Sequence, residues 1–181
     1  MKFMENIGVF CASSDRMENI YYERAEELGK WIGESGRKLI YGGANCGLME
    51  ALAKSVKENG GNVIGIVPKK LIENNRVSDH IDVSIYCNDL SDRKELLIDK
   101  SDILIVLPGS VGTLDEAFCT ISSNTFGMNS KKVVFWNING FYDLLFKFLE
   151  SLEKQGVLNK PLEKIMYVVN DLNEIKDICE R

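Results

Sequence analysis

Ile103-Leu104-Ile105-Val106-Leu107-Pro108-Gly109-Ser110-Val111-Gly112-Thr113-Leu114-Asp115-Glu116 decides how the chain is read. Its first five residues are large and aliphatic with no polar alternation, as in a strand covered on both faces. Pro108 and Gly109 stop that strand, and residues 113–125 follow with helical spacing. A strand buried on both sides belongs to a parallel sheet, whose neighbouring strands need a helical crossover between them.

The same alternation runs outward in both directions. Residues 7–11, 38–41, 62–67, 82–87 and 132–136 read as strands, with a last one at 166–169. Residues 19–36, 47–59, 89–100 and 141–155 read as amphipathic helices, and another starts at Asp171. Gly60-Gly61 closes the second helix as a C-terminal stop. Residues 69–80 form a polar connection long enough for a functional loop. The pattern is that of an α/β, doubly wound, three-layer fold with a mainly parallel sheet. No repeat, low-complexity tract or linker divides it, and 181 residues suit one domain spanning 1–181.

Composition narrows the chemistry. Lys and Arg number 22 against 27 Asp and Glu, a formal charge of −5, which argues against a face built for nucleic acid. The single histidine, His80, cannot supply a zinc site of two or three imidazoles, and a Ser-His-Asp triad would depend on it alone. Neither a metal nor an organic cofactor is expected. Cys11, Cys46, Cys87, Cys119 and Cys179 are scattered and odd in number, as expected of packed, reduced thiols in a cytoplasmic protein. Glu5 interrupts the apolar stretch that a signal peptide would need within residues 1–6. No apolar run approaches the ~18 residues of a membrane span.

In a doubly wound sheet, ligands bind where the carboxyl ends of the strands lead into helices. Three such loops stand out: Ala12-Ser13-Ser14-Asp15, Gly42-Gly43-Ala44-Asn45-Cys46-Gly47, and residues 108–116. In the third, Gly109 and Gly112 allow close backbone approach. Thr113 is expected to open a helix whose free N–H groups attract an anion, phosphate above all. No lysine precedes Thr113, so this is not a Walker loop, and the dinucleotide glycine spacing is missing.

Thr113-x-x-Glu116 has two readings. As a capping box it is purely structural, with each side chain satisfying a backbone N–H. Alternatively, Glu116 is a carboxylate beside a phosphate-bearing ligand, placed to act on a sugar hydroxyl or a water. Arg93 and Lys94 stand near a helix start, where basic groups oppose the dipole. They form either a solvated cluster with Asp92 or an anion grip through the planar fork of Arg93. Lys69 and Lys70 read as surface charges, His80 as an exposed loop end, and Trp31, Trp136 and Phe141-Tyr142 as core or subunit contacts.

Together these loops resemble the LONELY GUY (LOG) family, cytokinin riboside monophosphate phosphoribohydrolases long labelled lysine decarboxylases. The family signature P-G-G-x-G-T-x-x-E is matched by Pro108, Gly109, Gly112, Thr113 and Glu116, and R-K by Arg93-Lys94. V-F-C-x-S-S is matched by residues 9–14, and Y-G-G…G-L-M by Tyr41-Gly42-Gly43 with Gly47-Leu48-Met49. The likeness runs from Ile7 to Leu158. It implies a homodimeric Rossmann-like fold and cleavage of the N-glycosidic bond of AMP or an N6-substituted AMP, yielding free base and ribose 5-phosphate. Arg93 and Glu116 align with the family's catalytic pair. Ser13, Gly43, Lys94, Gly109, Ser110, Gly112 and Thr113 form the expected substrate- and phosphate-binding set.

The chain departs from the family at Ser110, which replaces the second signature glycine, and at Leu90-Ser91-Asp92, where M-H-x is usual. It departs again at residues 122–127, where T-W-x-Q-L-G is common. Ser110 favours an alternative, a nucleotide-binding module of the same fold without turnover. A pyridoxal-phosphate decarboxylase is disfavoured, since that chemistry needs a larger scaffold and Lys94 is the lone lysine near the motif loops.

Overall fold

The computed structural model describes residues 4–180. The first three residues of the N-terminal segment read against a signal peptide lie outside them. In chain order the elements are β1 (Asn6–Phe10), α1 (Asn19–Glu34), β2 (Lys38–Tyr41), α2 (Gly47–Glu58) and β3 (Asn62–Pro68). Next come α3 (Lys69–Glu73), β4 (Val83–Cys87), α4 (Leu90–Lys100), β5 (Ile103–Val106) and α5 (Val111–Thr125). The chain continues through β6 (Lys132–Trp136), α6 (Asp143–Lys154), α7 (Leu162–Ile165), β7 (Tyr167–Val169) and α8 (Leu172–Glu180).

All seven strands pair in parallel, in the order β4-β3-β2-β1-β5-β6-β7. The chain winds outward from β1 to β4, then returns to the other side of β1 and winds outward again. The winding reverses between β1 and β5, and that junction is where an open α/β sheet holds its ligand.

Alternating side chains divide the interior into two layers. Ile7, Val9, Ile103, Ile105 and Leu107 face one core, which Leu28, Ile32, Leu52 and Ile175 complete from α1, α2 and α8. Phe10, Leu104, Val106 and Phe135 face the other, against Leu97, Ala117 and Leu149 from α4, α5 and α6. The uniform aliphatic character of 103–107 follows, since successive residues serve opposite cores.

Most element ends differ from the expected ones by a residue or two; three differences matter. The stretch 69–80 is not all loop: its start winds into the short helix α3. Residues 138–140 form a separate 3-10 turn, so α6 begins at Asp143. Helix α5 begins at Val111 instead of Thr113, which changes the reading of the site.

Candidate active site

The loops after β1, β2 and β5 and the segments after β3 and β4 enclose a cavity of about 570 Å³ at the carboxyl edge of the sheet. Its lining includes Ser13, Arg93, Ser110, Gly112, Thr113 and Glu116 from the expected set.

Ser110 is extended (φ −99, ψ −157) and stands at the N-cap position of α5, where its carbonyl accepts from the Leu114 N–H at 3.1 Å. Gly109 lies so close to Thr113 that a Cβ there would overlap the threonine side chain, so the helix can start directly after Ser110. Thr113 is therefore inside the first turn and buried, and the capping box with Glu116 is not formed. The Ser110 hydroxyl makes no capping bond, and Ser110 lines the cavity. Helix geometry leaves the N–H groups of Val111, Gly112 and Thr113 without intrahelical partners, the arrangement that favours an anion.

The other glycine-rich loop differs. The carboxylate of Asp15 already accepts the Gly47 N–H at 2.8 Å, so the start of α2 carries its own anion. Of the two glycine-rich helix starts, that of α5 is the one left for a ligand.

Glu116 is one turn further along α5 and only 6% exposed. Its Oε1 accepts from Nη1 of Arg93 at 3.2 Å, while Nη2 of Arg93 donates to the Gly42 carbonyl at 3.1 Å. Arg93 comes from the first turn of α4, whose N-cap Asp89 accepts from the Ser91 and Asp92 N–H groups. Asp92 is not the partner of Arg93: its carboxylate accepts from Asn88. Of the two readings of Arg93, the solvated cluster fails and a held guanidinium remains. Its Nε–H is buried without a partner, a cost of about 1–3 kcal/mol of the kind that structures tolerate at binding sites.

Burial pushes the Glu116 carboxyl up to about 7; the Arg93 guanidinium pulls it down and Asp115 adds a smaller push. Such a group can exchange its proton near neutrality, as a general base must. Cys11 lines the same cavity, and burial holds its thiol well above the ordinary range, so it is no thiolate nucleophile.

Two residues outside the expected set hold this geometry. A Cβ on Gly42 would overlap Nη2 of Arg93, so the guanidinium sits where only a glycine fits. The double glycine after β2 was a signal, but it pointed to Gly43, whose carbonyl instead accepts from the Ser78 N–H. Tyr142 donates to the Leu107 carbonyl at 2.8 Å and bonds the Gly109 backbone, fixing the start of the phosphate-type loop.

Gly43, Gly109 and Lys94 are not in the cavity lining. Lys94 is tied to Asp115, 2.9 Å away, rather than to a ligand subsite. His80 is half-buried and stands 3.4 Å from Glu50. Lys70, expected at the surface only, lines the cavity with Arg76. Among the described residues no group of three or more His, Cys, Asp or Glu is placed to hold a metal, and no helix is long and apolar enough to cross a membrane.

Comparison with known proteins shows the family and the fold. The family described as "possible lysine decarboxylase" matches residues 49–179. A probable cytokinin riboside 5′-monophosphate phosphoribohydrolase of Oryza sativa subsp. japonica is 30% identical over 172 residues, 95% of this chain and 82% of that protein. A cytokinin riboside 5′-monophosphate phosphoribohydrolase of Rhodococcoides fascians is 30% identical over 169 residues, 93% of this chain and 85% of the relative. Among solved structures, the molybdenum cofactor carrier protein of Chlamydomonas reinhardtii superposes with a TM-score of 0.75 at 25% identity, covering 98% of this chain and 99% of that one. The fold, the paired Arg93 and Glu116 and the extent of these matches lead to one assignment: the chain belongs to the LOG family, whose model still carries the lysine decarboxylase description.

Proposed function

We propose that this chain hydrolyses the N-glycosidic bond of a purine nucleoside 5′-monophosphate, AMP or an N6-substituted AMP, releasing the free base and ribose 5-phosphate. The observation that carries this reading is the Arg93–Glu116 pair, 3.2 Å apart at the wall of a cavity that the open start of α5 also lines. The names of the curated relatives support the same reaction.

Glycosidic cleavage develops positive charge at C1′ of the ribose, which a nearby carboxylate stabilises. In this reading Glu116, once ionised, also orients a water and accepts its proton. Arg93 fixes the carboxylate against Gly42 and holds the ribose end, so that the reacting atoms meet in one geometry. The phosphate sits on the first turn of α5, with the Ser110 hydroxyl and the N–H groups of Gly112 and Thr113 as donors.

The protein works as a cytoplasmic homodimer in this reading, with no nucleic-acid or membrane partner. Leu90 and Val111, 64% and 81% exposed, are apolar residues beside the cavity, and a second copy would cover them. All five cysteines are free, as suits a reducing compartment. Light scattering on the purified protein tests the dimer, and a monomer at micromolar concentration would refute it.

Incubation with AMP tests the reaction. Adenine and ribose 5-phosphate in equal amounts are expected; saturable binding with no product would overturn the hydrolase. That second outcome matches a carrier without turnover, which Ser110 at the signature glycine position and the likeness to the molybdenum cofactor carrier favour.

A further inference from the structure

The proposed reaction leaves one group unserved. When the C1′–N9 bond breaks, the purine keeps the electron pair and needs a proton, or a cation to hold its charge. Glu116 and Arg93 act at the ribose and cannot serve both ends.

The far wall of the cavity carries two cations. Lys70 lies on α3, and Arg76 follows that helix by three residues. Arg76 donates to the Cys46 sulfur at 2.8 Å, and among the described residues neither Arg76 nor Lys70 has a carboxylate partner. The other positive groups around the site are committed, Arg93 to Glu116 and Lys94 to Asp115. In a chain with a formal charge of −5, two uncompensated cations on one cavity wall mark a place for developing negative charge.

Their placement fits the base end. Lys70 and Arg76 follow β3, while Ser110, Gly112 and Thr113 follow β5, and β2 and β1 lie between. Three strand spacings of ~4.8 Å put the two walls roughly 14 Å apart along the sheet edge. With its phosphate on α5, an extended mononucleotide lays its ribose over β1, near Cys11 and Arg93, and its base toward β3. The wall is also held in place: Asn45 N–H donates to the Arg76 carbonyl and Ser78 N–H to the Gly43 carbonyl, both at 3.0 Å, while Ala44 and Val77 form an antiparallel bridge. Met49, Ala44 and Leu71 supply apolar surface for a planar base between these polar groups.

Resting on the hydrolase reading, we propose that Lys70 and Arg76 are the leaving-group residues of this site. Lys70 Nζ protonates the departing purine, and the Arg76 guanidinium, which keeps its proton, stabilises the charge that builds on the base nitrogens. The balance is complete. The C1′–N9 pair goes to the purine, the water oxygen bonds to C1′, one water proton goes to Glu116, and the purine proton comes from Lys70. Exchange with solvent then returns a proton to Lys70 and removes one from Glu116.

The test compares two substrates in the full-length protein: AMP, and 7-methylguanosine 5′-monophosphate, whose base is already cationic and departs without protonation. Lys70→Gln and Arg76→Gln should each lower kcat on AMP by about 10²-fold, the scale of general-acid assistance. The 7-methylated substrate should be cleaved at a nearly unchanged rate by both variants. Equal losses on both substrates would overturn the proposal and assign the two residues a merely structural role. Lost discrimination between AMP and adenosine would also overturn it, by placing the phosphate at this wall. Failure of the unsubstituted protein to cleave either nucleotide would instead overturn the hydrolase reading. Melting temperatures of the variants, whose altered side chains are exposed, separate folding from chemistry.

Discussion

Arg93 reaches Glu116 across 23 residues of sequence, and its Nη1 stops 3.2 Å from Oε1 inside a nearly closed wall. The pair joins the first turn of α4 to α5, with β5 between them in sequence. A carboxylate this buried is costly to ionise alone, and the guanidinium offsets part of that cost.

Replacing Glu116 by Gln keeps the size and a hydrogen-bond acceptor for Arg93 but removes the base. Turnover of AMP should fall by at least about 10²-fold, while calorimetric titration shows AMP binding within a few-fold of the unsubstituted protein. Near-native turnover in Glu116→Gln would show that the carboxylate has no part in the chemistry.

The raised Glu116 group also sets a pH dependence. The folded chain retains a proton between 4.5, the ordinary value, and about 7, where the unfolded chain has released it. The stability this contributes is full below 4.5 and is lost as pH rises through 7. The unfolding free energy of the unsubstituted protein, read from urea titrations, should fall relative to Glu116→Gln across that window, by on the order of 3 kcal/mol. Since the base acts when ionised, kcat should climb over the same range with a midpoint near 7. A flat profile between pH 5 and 8 would separate Glu116 from the rate-limiting proton transfer.

Gly42→Ala perturbs the active site without replacing a charged residue. The added Cβ meets the far end of the Arg93 side chain, which can shift, so the melting temperature should change little. The displaced guanidinium should lower kcat by about 10²-fold, as small misplacements of a positioning group do. A crystal structure of the variant with Arg93 unmoved would refute the steric argument.

Ser110→Ala tests the phosphate lip. Because the hydroxyl caps nothing, helix stability should be unchanged. Loss of one charge-assisted bond should raise KM for AMP about tenfold and leave KM for adenosine unaltered. Equal KM changes for both would place the phosphate elsewhere.

The fold was legible because its strands are uniform. Residues 103–107 could only lie between two cores, and the parallel order followed from that burial. Arg93 and Glu116 were legible only as members of motifs. Their meeting joins two helices 23 residues apart in sequence, and no local spacing records such a contact. Lys94 was misplaced for a related reason, since adjacent residues on a helix point in different directions and Lys94 faces Asp115. Arg76 gave no local signal, and Lys70 read as a surface charge. Lys70 reaches the cavity from α3 at the end of β3, and Arg76 because residues 76–78 fold back onto the loop after β2; such long-range backbone pairing leaves no periodic trace.

That fold-back has an evolutionary consequence. The wall facing the glycine loop across the sheet edge hangs from main-chain bonds, which no particular side chain dictates, so its residues other than Lys70 and Arg76 are free to drift while the scaffold stays intact. Selectivity for what enters can thus be retuned by exchanging this short cassette alone, and diversification among relatives should concentrate there rather than at the acid–guanidinium couple.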